Sequence, residues 1–299
     1  MRKYPLRFIP QEDRAIWGRE FWLVSAYRAH PSIVSEGPYA GRSLPDLADE
    51  FGEELYGTKC AGPFPQLTKI IEAKDRLSIQ VHPNEETSRR SGGDPKTEMW
   101  YVLGAAPGSY VSVGLNPGVA RDDFIRALHD GEVEHLVRKI HVARGDVLLI
   151  PGGQIHSVGG GCRLYEIQQT SDTTWRLHDW NRIDPSTGGR RKTNEREGLA
   201  SMDWSLPPAE LAHCGEMDGP VPVKCPFFNL QVRNVSDRLS LSGRPDGFRI
   251  LFVAEGKCAI STEGYPQVAM AADDSVLLPA GLSCEIVADG GCRLLISEP

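Results

Sequence analysis

The sequence lacks paired cysteines and any spacing of thiols that would suit a metal. Its seven cysteines are an odd number, they are scattered along 299 residues, and no Cys-x-x-Cys pair occurs. Disulfide scaffolds and thiolate zinc sites both need paired cysteines, so neither is expected. The pattern predicts free thiols in a reducing compartment, and therefore a cytoplasmic protein.

An excess of positive charge and long apolar runs are also missing. Asp and Glu number 40 against 33 Lys and Arg, which leaves a net charge of −7. This balance argues against general binding to nucleic acids or anionic membranes, so any phosphate site must be a local basic pocket. No run approaches the roughly 20 apolar residues of a membrane span, and residues 1–5 lack an apolar signal core.

Glycine and proline are plentiful, with 31 and 22 residues, and short apolar runs recur between turn signals. This pattern is typical of β-sandwiches and β-barrels. Residues 120–128 and 133–138 break it and predict two short helices around Asp130-Gly131, while Leu47–Leu55 predicts a third. We therefore expect a mainly β protein with a small helical insertion near residues 118–138.

Polar residues alternate with apolar ones along residues 77–83. Side chains on a strand alternate between its two faces, so Gln80 and His82 are expected to point the same way. Lys96 and Glu98 are expected to share a face of a second strand in the same manner. Amide, imidazole and carboxylate groups on facing strands are ligands that suit zinc or another divalent metal.

A fourth candidate ligand follows a turn. Asp146–Ile150 predicts a buried strand, Pro151-Gly152-Gly153 a turn, and His156 lies at the start of the next strand. Gln80, His82, Glu98 and His156 together would form a metal site with one carboxylate and no thiolate, which favours a catalytic metal over a structural one. The alternative is two hydrogen-bonded core histidines and a surface glutamate.

Four motifs in order resemble class I mannose-6-phosphate isomerases in their shorter bacterial form, which belong to the cupin superfamily. They are Gln-Val-His-Pro at 80–83, Lys-Thr-Glu-Met-Trp-Tyr at 96–101, Pro-Gly-Gly-Gln-Ile-His at 151–156, and Glu166–Arg176 with its continuation to Arg182. Ile16-Trp17-Gly18 also fits the family's opening. The resemblance is dense from Trp17 to Arg182 and thin beyond it.

The resemblance implies an activity and a cofactor. It implies one Zn²⁺ per chain, held by the four candidate ligands, although Mn, Co or Fe would also suit them chemically. It implies interconversion of mannose 6-phosphate and fructose 6-phosphate through a cis-enediol, in carbohydrate and specifically mannose metabolism. The expected partner is a small sugar phosphate, with no nucleic acid or membrane, and the protein is expected to be a monomer or a homodimer.

The resemblance also implies four catalytic residues, each with a structural alternative. Arg176 is implied as an active-site donor to oxygen anions, and Lys96 as a cation for a sugar oxygen or phosphate. Glu166 is the first candidate for proton transfer and Asp172 the second. The alternatives are a solvated strand lysine, a sheet-edge carboxylate, and an Asp172–Arg176 salt bridge at a turn. Arg182 and the loop cations at 190–192 are further candidates for phosphate contact.

The chain also contains a faint internal repeat. Asp146–His156 and Asp274–Cys284 share a pattern of an aspartate, an apolar strand and a Pro-x-Gly turn, with cysteine near the histidine position in the second copy. We infer two double-stranded β-helix (cupin, or jelly-roll) domains. Residues 1–208 would form the metal-binding catalytic domain and 209–299 a smaller domain without metal, joined near a polar, proline-rich linker at 201–226.

Two rival functions remain open at this stage. The first is another metal-dependent cupin enzyme, because cupin barrels host many chemistries. The second is a non-catalytic sugar-phosphate-binding paralogue that has kept the barrel. Metal content and isomerase turnover would distinguish them.

Overall fold

The computed structural model describes residues 1–60, 62–185 and 187–299, and it has the expected mainly β fold of the cupin type. The strands are β1 Leu6–Arg7, β2 Gln11–Ala15, β3 Gly18–Val24, β4 Gln66–Ala73, β5 Ile79–Val81, β6 Glu98–Ala105, β7 Tyr110–Leu115, β8 Val137–His141, β9 Asp146–Ile150, β10 His156–Val158, β11 Cys162–Gln169, β12 Trp175–His178, β13 Leu211–His213, β14 Gly219–Pro220, β15 Asn229–Val235, β16 Arg238–Leu241, β17 Arg249–Thr262, β18 Tyr265–Ala271, β19 Ser275–Leu278 and β20 Cys284–Glu298. The helices are α1 Leu44–Phe51, α2 Glu53–Tyr56, α3 Ser88–Ser91, α4 Arg121–Asp130 and α5 Glu195–Ser201, with a 3₁₀ turn at Val133–Leu136.

The strands form three sheets. One has five strands in the order β12-β5-β10-β7-β8, and another has seven in the order β13-β9-β6-β11-β4-β3-β2. The third follows β1-β19-β17-β20-β15-β14, with β16 on β20 and β18 on β17. The strand pairs that carry the candidate site and the core of unit 1 are antiparallel, as in the double-stranded β-helix that the repeat predicts.

The chain divides into two compact units. Unit 1 contains residues 1–11, 21–69 and 214–299, and unit 2 contains residues 12–20 and 70–213. This grouping differs from the predicted linear division into 1–208 and 209–299. Tyr4 and Leu6 are buried in one cluster with Phe248, Ile250 and Leu277, because β1 pairs with β19 and brings the N-terminal segment into the core of unit 1.

The helical segments follow the sequence prediction with local changes. α4 buries Phe124 and Leu128, and Gly131 ends it in the left-handed conformation, at φ 79°. The predicted second helix is only a 3₁₀ turn, and Val137 begins strand β8. The predicted helix at 47–55 is divided at Gly52, whose φ of 48° and ψ of −122° are not helical.

The two copies of the predicted repeat share one turn geometry. Asp146 accepts a hydrogen bond from the backbone N–H of Ala143 at 2.7 Å, and Asp274 accepts one from Ala271 at 2.8 Å. Both aspartates therefore cap the turn that leads into their strand. This match favours the proposed duplication.

The prediction on the thiols is confirmed, because all seven cysteines are free. The segment that carries the cations at 190–192 follows a turn in which Asp184 N–H donates to the carbonyl of Gly189, and it leads into α5; Ser186 lies outside the described residues. No helix among the described residues is long and apolar enough to cross a membrane.

Candidate active site

The five-stranded sheet of unit 2 places three candidate residues in one row. Gln80 on β5 lies directly opposite His156 on β10 and opposite Arg176 on β12. Directly opposed residues of an antiparallel pair have their side chains on the same face of the sheet. The register therefore sets an amide, an imidazole and a guanidinium side by side, although they are far apart in the sequence.

The seven-stranded sheet supplies the carboxylates in the same way. Glu98 begins β6 and lies opposite Gln168 of β11, and two residues further on Trp100 lies opposite Glu166. Glu98 and Glu166 are both buried, so their side chains are in the interior of unit 2. Lys96 precedes the strand, where its N–H donates to the carbonyl of Pro83, so the predicted strand begins two residues later than expected.

The candidate metal ligands meet at one point. His82, Glu98 and His156 are all buried and offer donor atoms that lie within 4.8 Å of one another. The Nε2 atoms of His82 and His156 lie 3.4 and 3.5 Å from the two carboxylate oxygens of Glu98. Gln80 contacts the same group, with its amide nitrogen 3.2 Å from His156 Nε2. The structure thus brings the predicted quartet together.

Backbone carbonyls orient both imidazoles toward this point. His82 Nδ1 donates to the carbonyl of Thr173 at 2.7 Å, and His156 Nδ1 donates to the carbonyl of Gln154 at 2.9 Å. Each ring therefore points its Nε2 lone pair at the centre, as metal-binding histidines commonly do, and that of His156 accepts from the Gln80 amide.

One of these inward atoms lacks a hydrogen bond. His82 Nε2 is fully buried and forms no hydrogen bond with any described residue; it faces Glu98 Oε2, which lies 3.1 Å from Lys96 Nζ. Burying a lone pair without a donor is costly, and a cation between His82 and Glu98 would satisfy it. The side-chain oxygen of Gln80 accepts a hydrogen bond from Ser78 Oγ. A half-turn of the amide group would direct this oxygen toward the metal. The donor set therefore fits a divalent metal.

The Pro-Gly-Gly turn connects the strands that carry the ligands. Gly152 N–H donates to the hydroxyl of Thr97, the neighbour of Glu98, at 3.0 Å. Gly153 N–H donates to the carbonyl of His82 at 2.7 Å. A Cβ on Gly152 would lie 2.6 Å from the carbonyl oxygen of Pro83, so this close approach requires glycine.

Replacing Thr97 with valine is expected to lower the free energy of unfolding by about 1–3 kcal/mol, because the buried Gly152 N–H loses its acceptor. Chemical denaturation of the metal-free protein measures this. Thr97→Ser keeps the hydroxyl and serves as the control. A loss in Thr97→Ser together with no loss in Thr97→Val would show that packing of the methyl group, and not the hydrogen bond, stabilises the turn.

A buried cation lies between the two carboxylates. Lys96 Nζ is 3.1 Å from Glu98 and 3.8 Å from Glu166. Burial acts to lower the pKa of Lys96, but the charges of Glu98 and Glu166 outweigh it and raise the pKa above its usual value. Burial likewise acts to raise the pKa of Glu98, but Lys96 and His82 hold it well below its usual value. Lys96 and Glu98 therefore form a buried charged pair.

The pKa values of the two histidines are shifted so that the neutral form is favoured. Burial, with the nearby Lys96 charge, lowers the pKa of His82 to about 3, and burial also lowers the pKa of His156. Both imidazoles are therefore neutral at neutral pH. Neutral imidazole is the form that binds metal.

These shifts predict how the stability of the metal-free protein depends on pH. The unfolded chain protonates its histidines near pH 6.5, whereas folded His82 stays neutral to about pH 3. Stability is therefore fully present above about pH 6.5 and is lost as the pH falls toward 3, by up to about 1.4 kcal/mol per pH unit for each imidazole. Urea denaturation of chelated wild type and His82→Gln at several pH values isolates the contribution of His82. Parallel pH profiles would contradict the prediction.

Arg176 is half-buried on the face that it shares with Gln80. Burial lowers its pKa, as does the charge of Arg191. Its guanidinium forms no hydrogen bond or ion pair with the residues that the structure describes. Desolvated arginines are normally paired, so this planar fork is available to an anionic ligand.

The remaining predicted residues differ in their position. Glu166 is buried, and its Oε2 accepts from the indole N–H of Trp100 at 2.9 Å. Asp172 is exposed, in the segment whose Thr173 carbonyl holds His82. Arg182 and Arg191 both pair with the buried Asp179, so the three arginines 176, 182 and 191 lie around one carboxylate. Together they form a local basic patch on an acidic protein.

Sequence reasoning missed three contributions to the site. Trp100 is buried, and its indole N–H also holds Glu166. Gln168 is fully buried opposite Glu98, and its Oε1 has no hydrogen-bond partner among the residues described. Thr97 holds the Pro-Gly-Gly turn. The position of Gln168 could have been predicted, because period-two alternation puts it on the same strand face as Glu166. The contacts of Trp100 and Thr97 could not, because they depend on which strands pair.

Comparisons with known proteins agree with this geometry. A family model for the phosphomannose isomerase type I catalytic domain matches residues 4–110. The mannose-6-phosphate isomerase of Streptococcus mutans is 32% identical over 265 residues, covering 87% of this chain and 82% of that protein. The mannose-6-phosphate isomerase ManA of Bacillus subtilis is 29% identical over 320 residues, covering 100% of both chains.

A solved structure has the same fold. The crystal structure of the mannose 6-phosphate isomerase from Bacillus subtilis superimposes with a TM-score of 0.85, at 25% identity, over 98% of this chain and 99% of that one. The chain therefore belongs to the mannose-6-phosphate isomerase family of type I.

Proposed function

We propose that this protein is a zinc-dependent aldose–ketose isomerase that interconverts mannose 6-phosphate and fructose 6-phosphate through a cis-enediol. The observation that carries the proposal is the buried cluster of Gln80, His82, Glu98 and His156, with the unpaired guanidinium of Arg176 on the same sheet face. The names of the relatives supply the substrate pair.

The donor set favours zinc. Two imidazoles, one carboxylate and one amide oxygen, without thiolates, suit a catalytic Zn²⁺ that keeps room for water or substrate. One such cluster implies one ion per chain. When bound, the ion supplies stabilisation of the negative charge that develops on a sugar oxygen.

The difficult step is removal of a proton from carbon, which builds negative charge on the neighbouring oxygen. Arg176 offers two N–H donors to that oxygen or to the phosphate, from a site that is already partly desolvated. Arg182 and Arg191 are held by Asp179 and add positive potential beside it. This local patch supports an anionic sugar as the substrate of a protein whose net charge is −7.

A carboxylate must carry the proton between C1 and C2. Glu166 is our first candidate because it is buried, is held by Trp100 N–H, and lies 3.8 Å from Lys96. Asp172 is the second, at the exposed end of the segment that contacts His82. Lys96 holds Glu98 and Glu166 in place and is available to a sugar oxygen.

The test is interconversion of the two sugar phosphates by purified protein before and after chelation, with zinc added back. Turnover that chelation abolishes and zinc restores supports the isomerase and the metal site together. Zinc-loaded protein without turnover on either sugar phosphate would overturn the substrate assignment and favour a binding protein. Full turnover in metal-free protein would overturn the metal's role.

A further inference from the structure

A second cavity lies in unit 2, with walls that the proposed reaction does not use. It encloses about 290 Å³ between the loop after β7, the start of α4, the loop before β10 and the segment after α5. Its wall is polar and apolar in about equal parts, and the apolar part includes Ile155, Met202 and Leu206, with Trp204 at one side. Its volume is at the small end of the range for ligand sites, about 300–1,000 Å³.

One buried polar side chain lines this cavity without a partner. Gln154 is 6% exposed, and its side-chain amide forms no hydrogen bond with any residue in the described part of the chain. Its backbone is fully used, because the N–H donates to the carbonyl of Pro151 and the carbonyl accepts from His156. Because this amide lines the cavity and has no partner in the described part of the chain, it is available to donate to a ligand or accept from one.

Two opposite charges line the same cavity and do not neutralise each other. The guanidinium of Arg121 lies 5.6 Å from the ring centre of Trp204 and pairs with no carboxylate among the described residues. Asp203 accepts from the backbone N–H and hydroxyl of Ser205 on one oxygen and has no cationic partner in the described ranges. A ligand that carries both charges would pair with both residues.

We propose that this cavity binds a small zwitterion with an apolar body, of the α-amino-acid kind. The carboxylate of the ligand pairs with Arg121, its ammonium group pairs with Asp203, and Gln154 supplies a further hydrogen bond. Its side chain lies against Ile155, Met202 and Leu206. The volume is about that of a small amino acid, and the residues that line it do not include the candidate metal ligands His82, Glu98 and His156.

Calorimetric titration of the intact protein with L-leucine and L-phenylalanine tests the proposal. We expect binding, and we expect about tenfold or greater weakening for 4-methylpentanoate, which lacks the ammonium group, and for 3-methylbutylamine, which lacks the carboxylate. Arg121→Gln and Asp203→Asn should weaken leucine binding by a similar factor. Arg126→Gln, which changes an exposed arginine of the same helix paired with Asp123, is the control and should bind leucine normally.

Three outcomes would overturn the proposal. The first is no heat of binding for either amino acid up to about 10 mM, which corresponds to less than about 3 kcal/mol of affinity. The second is unchanged leucine binding in both Arg121→Gln and Asp203→Asn. The third is displacement of leucine by mannose 6-phosphate in direct competition, which would place the amino acid in the metal-bearing cavity instead. Unchanged thermal unfolding and zinc content show that the variants are folded.

Discussion

Replacing Glu98 with glutamine is expected to abolish zinc binding and to lower isomerase turnover by a factor on the order of 10³ or more, because metal stabilisation of developing charge is worth several kcal/mol. Glu98 is the one carboxylate of the cluster, and both histidines face its oxygens at 3.4 and 3.5 Å. Metal analysis of the purified variant and the coupled isomerase assay measure the two losses. Full zinc occupancy in Glu98→Gln would show that the cluster is not the metal site.

The same substitution should also destabilise the metal-free protein. Lys96 is 5% exposed and loses the partner at 3.1 Å, so Glu166 at 3.8 Å remains as its ion-pair partner among the described residues. Removing one member of a buried pair costs about 3–5 kcal/mol, since the other charge remains buried. Urea denaturation in the presence of a chelator measures this without the contribution of bound metal.

A double variant separates the two effects. Lys96→Met together with Glu98→Gln removes both charges, so stability should return toward that of the wild type. Zinc binding should not return, because the carboxylate is still absent. Recovery of zinc binding in the double variant would mean that Lys96, and not the loss of a ligand, prevents metal binding in Glu98→Gln.

Replacing Arg176 with alanine is expected to lower kcat by about two decades or more while zinc content stays at the wild-type level, since a preorganised donor to a developing oxyanion is worth roughly 3–4 kcal/mol. Arg176 shares its sheet face with Gln80 but is not among the clustered ligands, so metal binding does not depend on it. Steady-state kinetics in both directions, with metal analysis of the same preparation, tests this.

Two further variants sharpen that experiment. Arg176→Lys keeps the charge but loses the planar fork, so partial recovery would measure how much of the effect is charge alone. Arg196→Ala removes an exposed arginine that pairs with Glu197, and it should leave turnover unchanged. Near wild-type turnover in Arg176→Ala would remove this residue from the mechanism.

Much of the candidate site could be predicted from the sequence because its signals are local. Period-two alternation put Gln80 and His82 on one face, and the Pro-Gly-Gly turn put His156 at the start of the following strand. The structure places the two histidines beside Glu98 and Gln80 beside His156. The predicted helix ends were less accurate. Gly52 divides one predicted helix in two, and Val137, predicted to be helical, begins strand β8.

Predictions that required pairing between distant segments were weaker. Residues 1–11 and 21–69 join unit 1, although their sequence contains no sign of which strands they pack against. Trp100 reads as a core residue in any local window, and its hydrogen bond to Glu166 arises only from the register of β6 with β11. The gathering of Arg176, Arg182 and Arg191 around Asp179 likewise depends on the path of the loop after β12.

The sequence by itself determined the fold class and predicted the candidate metal ligands and their strand faces, because side-chain alternation and turn chemistry act over a few residues. Only the tertiary structure decided that the imidazoles of His82 and His156 meet the carboxylate of Glu98, that the guanidinium of Arg176 has no ion-pair partner among the described residues, and that Lys96 lies between two carboxylates. These outcomes depend on antiparallel register across three strands of one sheet and on burial, which changes the pKa values of His82, Lys96 and Glu98. Neither register nor burial can be read from a single segment of the chain.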